Sequence, residues 1–356
     1  MKNKIIIILM SITTFLIILA ILLPKTLQSS YAVSTTFTDT IMSLASTSAC
    51  DAGGTGVCAT NSYTDVDGTT KYHDYRFRGA DPNNYVSFNN DTYRIIGVFD
   101  ENSHGIEGKY LIKLIMANRL YTGAWGAYNT NNVSGTYKGY ANDWTGNTTG
   151  VKANANVLLN EFFYNKTNAS STYGECSSWT YFMHENKTFN CSNIVGHGID
   201  YNFRNYIEEV TWYLNGYNSI DYSKQNFYLC ERGLSTDTTN CMSANSGTYD
   251  TSTIDKIGLM YASDYLYASS YFADTDTTIA SSYYYGNKNW LYKGDDWTLT
   301  PKIDNDTLYV FIIGMGNLQF WSPSQGRGIR PTFYLKSNVI VTGGTGTFDD
   351  PYTLSM

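Results

Sequence analysis

The chain has 356 residues, of which 15% are charged and 15% are aromatic, and its formal net charge is −7. Proteins that bind nucleic acids contact phosphates through clustered Lys and Arg side chains, so the acidic balance and the scattered basic residues argue against a nucleic-acid partner. The 32 tyrosines argue against a disordered chain, because aromatic side chains bury enough surface to offset the entropy of the unfolded chain.

The first element is the almost unbroken apolar run Ile5–Leu23. As a helix it is long enough to cross the hydrocarbon core of a bilayer. Lys2 and Lys4 precede it, which predicts a cytoplasmic N-terminus and an exported remainder. We therefore predict that Ile5–Leu23 contacts the membrane and that the protein is a single-pass protein of the cell membrane with an extracellular C-terminal domain. The alternative is a signal segment cleaved after Ala32, which gives a secreted protein.

This interpretation divides the chain into three parts. Residues 1–28 are the membrane anchor or signal segment, and residues 29–70, with few apolar side chains, form a stem that contains a loop from Cys50 to Cys58. Residues 71–356 form the extracellular domain.

The six cysteines of an exported chain predict disulfides. Pairing of sequence neighbours joins Cys50 to Cys58, Cys176 to Cys191 and Cys230 to Cys241, although other pairings stay open. A metal site is the alternative for these cysteines. No C-x-x-C motif occurs, and the four histidines have no ligand spacing and are expected in exposed loops. We predict no metal and no cofactor.

The first half of the extracellular part predicts strands and then helices. Asn84–Phe99 has the pattern of a hairpin, and Lys109–Met116 follows as a third strand of an antiparallel sheet. Asn156–Tyr164 is predicted as a short helix. Asp200–Leu214 is predicted as a longer helix, because its apolar residues recur at steps of three and four.

The second half predicts more strands. Lys256–Tyr261 is a predicted strand, and Ser263 and Asp264 are predicted to cap a short helix that ends at Ala268. Leu308–Ile313 is apolar enough for a central strand. The chain then closes with the predicted strands Thr332–Leu335 and Asn338–Thr342, followed by a glycine-rich turn at residues 343–346. Arg330 is expected as a buried residue that hydrogen-bonds carbonyl groups.

Tryptophans in polar loops are the candidate ligand contacts. An aromatic ring among Asn, Asp and Gln side chains can stack on a sugar or anchor a protein contact. The alternative is that these rings pack long loops onto the body of the domain. The candidate ligand-binding residues are Trp125, Trp144, Trp179, Trp290, Trp321 and Arg327.

Three motifs, Tyr93–Val98, Lys256–Tyr261 and Gly328–Leu335, occur here in an order that resembles a family of extracellular domains of Gram-positive bacteria. The family is related to the C-type-lectin-like fold of the sulfatase-modifying factors, which include the formylglycine-generating enzymes. The resemblance covers roughly residues 72–354. It implies an α+β fold with small antiparallel sheets, short helices and long irregular loops, here preceded by an N-terminal transmembrane helix.

The resemblance does not extend to catalysis. The formylglycine-generating enzymes hold copper with a cysteine pair near the chain end, whereas the last cysteine here is Cys241. No motif of a catalytic nucleophile, phosphate loop or zinc protease occurs, so we assign no catalytic residue. We predict a cell-surface binding or structural protein, such as an adhesin that recognises a glycan or matrix ligand through loop aromatics. The alternatives are a secreted glycan-acting hydrolase and a pilin-like assembly subunit.

Overall fold

The structure, a computed structural model, has the predicted α+β character, with small sheets and short helices. It describes residues 35–64, 70–126, 128–129, 139–140, 143–147, 152–165, 196–218, 223–237, 239–241, 250–276, 286–303 and 308–356. Residues from Thr36 to Met356 belong to one compact unit. Among the described residues, no helix is long and apolar enough to cross a membrane. The predicted membrane segment Ile5–Leu23 and the cleavage position Ala32 lie outside the described residues.

The strands of the described residues are numbered in chain order. They are β1 (Gly56–Thr64), β2 (Thr70–Arg78), β3 (Tyr85–Phe88), β4 (Asp91–Phe99), β5 (Leu111–Met116), β6 (Tyr121–Gly123), β7 (Tyr128–Asn129), β8 (Gly139–Tyr140), β9 (Val210–Tyr213), β10 (Ser252–Asp255), β11 (Asp296–Ile303), β12 (Leu308–Gly314), β13 (Asn317–Trp321), β14 (Arg327–Ile329), β15 (Thr332–Tyr334), β16 (Ile340–Gly343) and β17 (Thr353–Ser355).

The helices are short. They are α1 (Phe37–Met42), α2 (Thr47–Cys50), α3 (Glu101–His104), α4 (Asn154–Asn156, continued by a π-helix over Val157–Phe163), α5 (Tyr201–Arg204), α6 (Lys224–Glu231) and α7 (Ala262–Ala268), with one 3₁₀ turn at Gly286–Lys288. The predicted helix Asn156–Tyr164 is thus confirmed as the second part of α4.

Two sheets carry the fold. The first has six strands in the order β1-β2-β4-β5-β15, with β3 paired to β4, and all its pairs are antiparallel. The second has five strands in the order β13-β12-β11-β14-β6, where only β11 and β14 run parallel. The predicted strands at 109–116, 308–313 and 332–335 are confirmed as β5, β12 and β15, and β12 is indeed a central strand.

The predicted hairpin of β3 and β4 is also confirmed. Asn89 and Asn90 connect the strands with φ angles of 53° and 61°. Two successive left-handed residues form the tight turn that matches the twist of paired strands, and Asn tolerates this conformation better than most residues. The Asn89 side chain also donates a hydrogen bond to the Gly198 carbonyl and accepts one from the Asp200 amide. The turn therefore anchors the segment that leads into α5.

The chain passes from the second sheet to the first between β14 and β15. Arg330 lies in this crossing and is 1% exposed. Its Nε donates to the Met116 carbonyl at 3.0 Å and its Nη1 donates to the Leu291 carbonyl at 2.8 Å. The prediction of a buried residue that closes the fold is confirmed. Gly328 is required beside it because a Cβ there would lie 2.0 Å from an Asp296 carboxylate oxygen.

Helix α7 lies between the sheets, and each of its seven residues is buried. The Ala262 amide donates to the Thr300 hydroxyl of β11, and the Tyr265 hydroxyl donates to the Gly316 carbonyl between β12 and β13. The predicted helix is confirmed, but it begins at Ala262 with Tyr261 as its N-cap, so Ser263 and Asp264 lie inside it. Asp264 does not precede the helix; it lies in the first turn and accepts a hydrogen bond from the Tyr261 amide at 2.9 Å.

The predicted helix at 200–214 was wrong over most of its length. Only α5 is helical, and Val210–Tyr213 forms β9, which pairs with β10 in antiparallel register. Trp212 is buried and lies on β9. Residues 256–261 were also not a strand, and only Gly258 makes an isolated bridge, to Thr332.

The predicted boundary between the stem and the domain, placed between residues 70 and 71, does not separate two parts of the structure. The hairpin of β1 and β2 spans residues 70 and 71, where the boundary was placed. Phe37 and Ile41 of α1 are 0% exposed and belong to the hydrophobic core. Residues from Thr36 onward therefore belong to the compact unit, because these apolar side chains are buried against the first sheet.

Candidate functional site

Three of the candidate tryptophans are buried, so their predicted exposure is corrected. Trp125, Trp144 and Trp290 are between 1% and 2% exposed. The Trp125 Nε1 donates to the Thr298 carbonyl at 3.0 Å, and the Trp290 Nε1 donates to the Phe77 carbonyl at 2.8 Å. These rings pack loops onto the sheets, because burying a large aromatic surface stabilises segments that have few other apolar side chains. Trp179 lies outside the described residues.

The remaining two candidates, Trp321 and Arg327, meet at the surface. The Arg327 guanidinium carbon lies 4.9 Å from the centre of the Trp321 ring, which is the geometry of a cation–π contact. The Trp321 side chain is 42% exposed. Its Nε1 donates to Gln319 Oε1 at 3.3 Å, and Arg327 Nε lies 3.9 Å from Asp295 Oδ2. We name Gln319, Trp321, Arg327 and Asp295 the edge cluster.

The second sheet positions the edge cluster. Gln319 and Trp321 are two residues apart on β13, so their side chains point to the same face. In the described part of the chain, β13 pairs with β12 on one side and ends the sheet on the other. Asp295 directly precedes β11, and its carbonyl accepts a hydrogen bond from the Gly328 amide at 2.8 Å. This bond fixes Arg327 beside the Asp295 carboxylate.

The edge cluster combines the groups that recognise polyhydroxylated ligands. The aromatic ring offers a flat apolar surface, and the amide and carboxylate oxygens accept hydrogen bonds from hydroxyl groups. Arg327 donates one hydrogen bond through Nη1, to the Gly326 carbonyl at 2.8 Å. Its Nε is buried and has no hydrogen-bond partner among the described residues, so a ligand does not reach it. The cluster therefore offers a ligand the exposed ring face and the side-chain oxygens of Gln319 and Asp295 as acceptors.

A second group of charged residues is fully inside the molecule. We name it the core ionic cluster, and its members are between 0% and 4% exposed: Asp74, Arg76, Lys113, Glu231, Arg232 and Asp264. Arg76 bridges two carboxylates, with Nη2 at 2.8 Å from Asp74 Oδ2 and Nη1 at 3.1 Å from Asp264 Oδ1. Lys113 Nζ lies 2.6 Å from Asp264 Oδ2. Buried charges persist only when paired in this way.

Aromatic rings surround the cations of the core ionic cluster. The Arg76 guanidinium lies 4.5 Å from the ring centres of both Phe99 and Tyr267. Arg232 lies 3.9 Å from the ring centre of Tyr228. Burial lowers the pKa of Lys113 to about 8, against the opposing effect of the Asp264 carboxylate. Burial also raises the pKa of Glu231, although Arg232 and two hydroxyl donors oppose that shift.

Sequence reasoning missed the core ionic cluster. Its members come from β2, β5, α6 and α7, and no sequence spacing connects them. The one available signal was Lys113, a single charge within the otherwise apolar strand Leu111–Met116. A lysine at an inward position of a central strand requires a buried carboxylate, so this signal predicted a partner without identifying it.

One histidine also differs from its prediction. His104 is 0% exposed at the end of α3 rather than in an exposed loop. Its Nε2 lies 3.2 Å from the Phe99 carbonyl oxygen and its ring meets Tyr334 edge to face. Burial lowers its pKa to about 4, so the ring is neutral near pH 7. In the described residues, no group of His, Cys, Asp and Glu side chains could hold a metal ion.

Two of the predicted disulfides are present. Cys50 pairs with Cys58 and Cys230 pairs with Cys241, as the pairing of sequence neighbours predicts. Cys176 and Cys191 lie outside the described residues. The first disulfide joins α2 to β1, and Arg78 holds the same loop by donating to the carbonyls of Ala49 and Cys50 at 3.2 and 2.7 Å.

Comparison of this chain with family models, with curated proteins and with solved structures found no match.

Proposed function

We propose that the protein is a cell-surface binding protein that recognises a glycan through the edge cluster and performs no chemistry on it. The observation that carries the proposal is the half-exposed Trp321 ring beside the Arg327 guanidinium. Among the described candidate residues, only these two combine exposure with mutual contact. A protein or matrix ligand that presents similar hydroxyl and carboxylate groups uses the same side chains.

An extracellular location is part of the proposal. Disulfides form and persist in oxidising compartments, and the two described disulfides are consistent with export. The apolar run Ile5–Leu23 supplies the anchor, and the compact unit from Thr36 then lies outside the cell. Removal of that run after Ala32 gives a secreted protein with the same binding surface.

The C-type-lectin-like architecture also belongs to the proposal. Two small sheets, short helices and irregular connections support it. The crossing at Arg330 supports it further, because this buried arginine near the chain end hydrogen-bonds carbonyl groups where the chain passes from one sheet to the other.

The test is retention of the full-length protein on glycan and matrix-protein arrays. We expect Trp321→Ala to weaken retention by at least about tenfold, because truncating an aromatic anchor costs on the order of 2 kcal/mol of binding free energy. Arg327→Ala is expected to weaken it less. Tyr201→Ala is the matched control, because Tyr201 is an aromatic residue that is 78% exposed on α5, and α5 packs on Phe88 of the first sheet through Phe203.

Three results would overturn the proposal. Equal retention of the wild type and Trp321→Ala would show that the ligand binds elsewhere. Release of a cleaved glycan during the assay would support the glycan-acting hydrolase instead. Filaments formed by the purified protein would support the pilin-like subunit.

A further inference from the structure

Lys113 and Asp264 are distant in sequence and meet in the interior. They are 151 positions apart, and Lys113 Nζ lies 2.6 Å from Asp264 Oδ2. Both side chains are 0% exposed. Lys113 is held on β5, opposite Gly97 of β4 and Tyr334 of β15. Asp264 is held in the first turn of α7. The backbone on each side therefore fixes the amine and the carboxyl group in contact.

The surroundings of the amine are apolar. Four aromatic rings have their centres between 4.4 and 5.5 Å from Lys113 Nζ, and they belong to Phe99, Trp212, Tyr261 and Tyr334. Among the described hydrogen bonds, Asp264 is the acceptor for this nitrogen. Burial, aided by the nearby cations Arg232 and Arg76, lowers the pKa of the Lys113 amine to about 8. The amine therefore loses its proton more readily than a lysine in water, although burial of Asp264 is outweighed by Lys113, Arg76 and Arg232, which hold the pKa of its carboxyl group below the ordinary value.

Two donors orient the carboxyl group. Arg76 Nη1 donates to Asp264 Oδ1 at 3.1 Å, and the Tyr261 amide donates to Oδ2 at 2.9 Å. A fixed cation on Oδ1 stabilises the negative charge that this oxygen carries when a nucleophile adds to the carbonyl carbon. The neighbouring oxygen, Oδ2, faces Lys113.

We propose that Lys113 and Asp264 condense within the folded protein to form an intramolecular amide bond. The Lys113 ammonium group first passes one proton to Asp264 Oδ2, the neutral Lys113 nitrogen then adds to the Asp264 Cγ, and the bond between Cγ and Oδ2 breaks. Two of the three protons of the ammonium group leave with Oδ2 as one water molecule, and the third stays on the amide nitrogen. The step is a condensation without oxidation or reduction, so it needs no co-reactant.

Two physical effects favour the bond. Groups held in contact by a fold react with effective concentrations of about 10⁵–10⁸ M, which offsets the unfavourable condensation of separate amines and acids in water. The product is also neutral, so it removes two charges whose burial costs free energy. The amide then joins β5 covalently to α7, which closes the intervening chain independently of the disulfides.

Comparison with other ion pairs of the chain shows why the Lys113–Asp264 pair is suited to form an amide bond. Arg76 contacts Asp74 and Arg232 contacts Glu231 inside the same cluster, but a guanidinium group stays protonated and does not act as a nucleophile. Lys152 Nζ lies 3.4 Å from Glu161 Oε1 at the surface, where the two side chains are 48% and 33% exposed. Water competes for that carboxylate and both groups move freely, so this pair serves as an internal negative control.

The experiment is peptide mass spectrometry of the purified full chain after reduction, alkylation and proteolysis. We expect one branched peptide that contains both Lys113 and Asp264, with a mass lower than the sum of its two linear peptides by one water molecule. The peptides that contain Lys152 and Glu161 are expected without this loss. In addition, the reduced wild-type chain is expected to migrate faster than Lys113→Arg in a denaturing gel, because a closed loop is more compact.

The wild-type measurement alone can overturn the proposal, even if every variant fails to fold. Recovery of only linear peptides for Lys113 and Asp264, from protein shown to be folded by circular dichroism, would contradict it. A loss of one water molecule that persists in Lys113→Arg would also contradict it, because the modification would then lie elsewhere. Neither result bears on glycan retention, so this inference and the proposed function fail separately.

Discussion

The core ionic cluster and the edge cluster place the same kinds of side chain in opposite environments. In both, a cation lies over an aromatic ring and a carboxylate is close by. In the core ionic cluster the rings close around Lys113 and Arg76, which are 0% and 1% exposed, whereas Trp321 in the edge cluster is 42% exposed. Burial, rather than residue type, decides that one group stabilises the fold and that the other is free to meet a ligand.

The free-energy cost of removing one charged partner also differs between the two clusters. Removing one partner of a buried pair leaves an uncompensated charge in a medium of low polarity. Removing one partner of an exposed pair leaves a charge that water solvates and salt screens. Substitutions in the core ionic cluster should therefore change stability, and substitutions in the edge cluster should change binding.

The largest expected effect is that of Asp264→Ala. It removes the side chain that contacts both Arg76 and Lys113, so it leaves Lys113 as an unpaired buried charge and takes away the proposed amide bond. We expect the free energy of unfolding to fall by about 3–5 kcal/mol. The matched control is Glu161→Ala, because Glu161 and its partner Lys152 are 33% and 48% exposed. That change is expected to cost less than about 1 kcal/mol. Urea unfolding measures both, and similar losses would contradict the comparison.

Substitution of two tryptophans separates stability from binding. Trp290→Ala removes a buried ring with its hydrogen bond, and we expect a loss of about 3–5 kcal/mol in unfolding free energy. Trp321→Ala is expected to cost less than about 1 kcal/mol, because its ring is already partly in water. Retention on the arrays, measured per folded molecule, should fall more for Trp321→Ala than for Trp290→Ala. A stability loss for Trp321→Ala as large as that for Trp290→Ala would place Trp321 in the core.

The disulfide at the margin of the first sheet has an intermediate effect. Replacement of Cys50 and Cys58 together by Ala is expected to lower the unfolding free energy by about 2–3 kcal/mol, the value for a short closed loop. Thermal unfolding of oxidised and variant protein measures the difference. Arg78 should keep the loop near its position through the Ala49 and Cys50 carbonyls, so retention by the edge cluster should not change.

The smallest expected effect, counted per pH unit, is a pH dependence centred on Asp100. Burial, reinforced by the nearby Asp74 carboxylate, raises the pKa of Asp100 to about 7, while Arg232 and the Asn102 amide oppose the shift. The unfolded chain loses this proton near pH ~4, so the folded state binds more protons between pH ~4 and ~7. Stability attributable to Asp100 should therefore decrease as pH rises through that window, by at most about 1.4 kcal/mol per pH unit.

Asp100→Asn is the variant that tests this dependence. It keeps an oxygen that can accept from the Asn102 amide, as Asp100 Oδ1 does at 3.0 Å, and it removes the titration. Urea unfolding between pH 4 and 7 should show a flatter profile for the variant than for the wild type. An unchanged slope would assign the dependence to a different group, such as Glu231 of the core ionic cluster, whose pKa burial also raises.

Local patterns predicted the parts of the fold that local physics determines. The Asn89–Asn90 turn, β5 and β12 all follow from short-range rules of turn chemistry and apolar runs. The disulfides of Cys50 and Cys230 with their sequence neighbours follow from loops too short and polar to hold themselves. The burial of Arg330 and its hydrogen bonds to carbonyl groups were also predicted correctly.

The wrong predictions share one cause, because each depended on contacts between residues that are distant in the chain. Residues 210–213 fit a helical period as well as a strand, and pairing with β10 decided between them. Trp125, Trp144 and Trp290 occur in polar segments, and only the folding of those segments over the sheets buried them. Trp321 occurs in a similar context and remained at the surface. Sequence neighbours do not distinguish these outcomes.

By itself, the sequence determined the compositional class, the α+β character, the hairpins and the pairing of neighbouring cysteines, because each depends on residues close together in the chain. Tertiary structure alone decided which tryptophan reaches solvent and which charges meet inside. Lys113 meets Asp264 across 151 positions, and Trp321 meets Arg327 because two strands present them together. Contacts of that kind arise only when the sheets pack, since burial fixes both the partner of a charge and the energy of the contact.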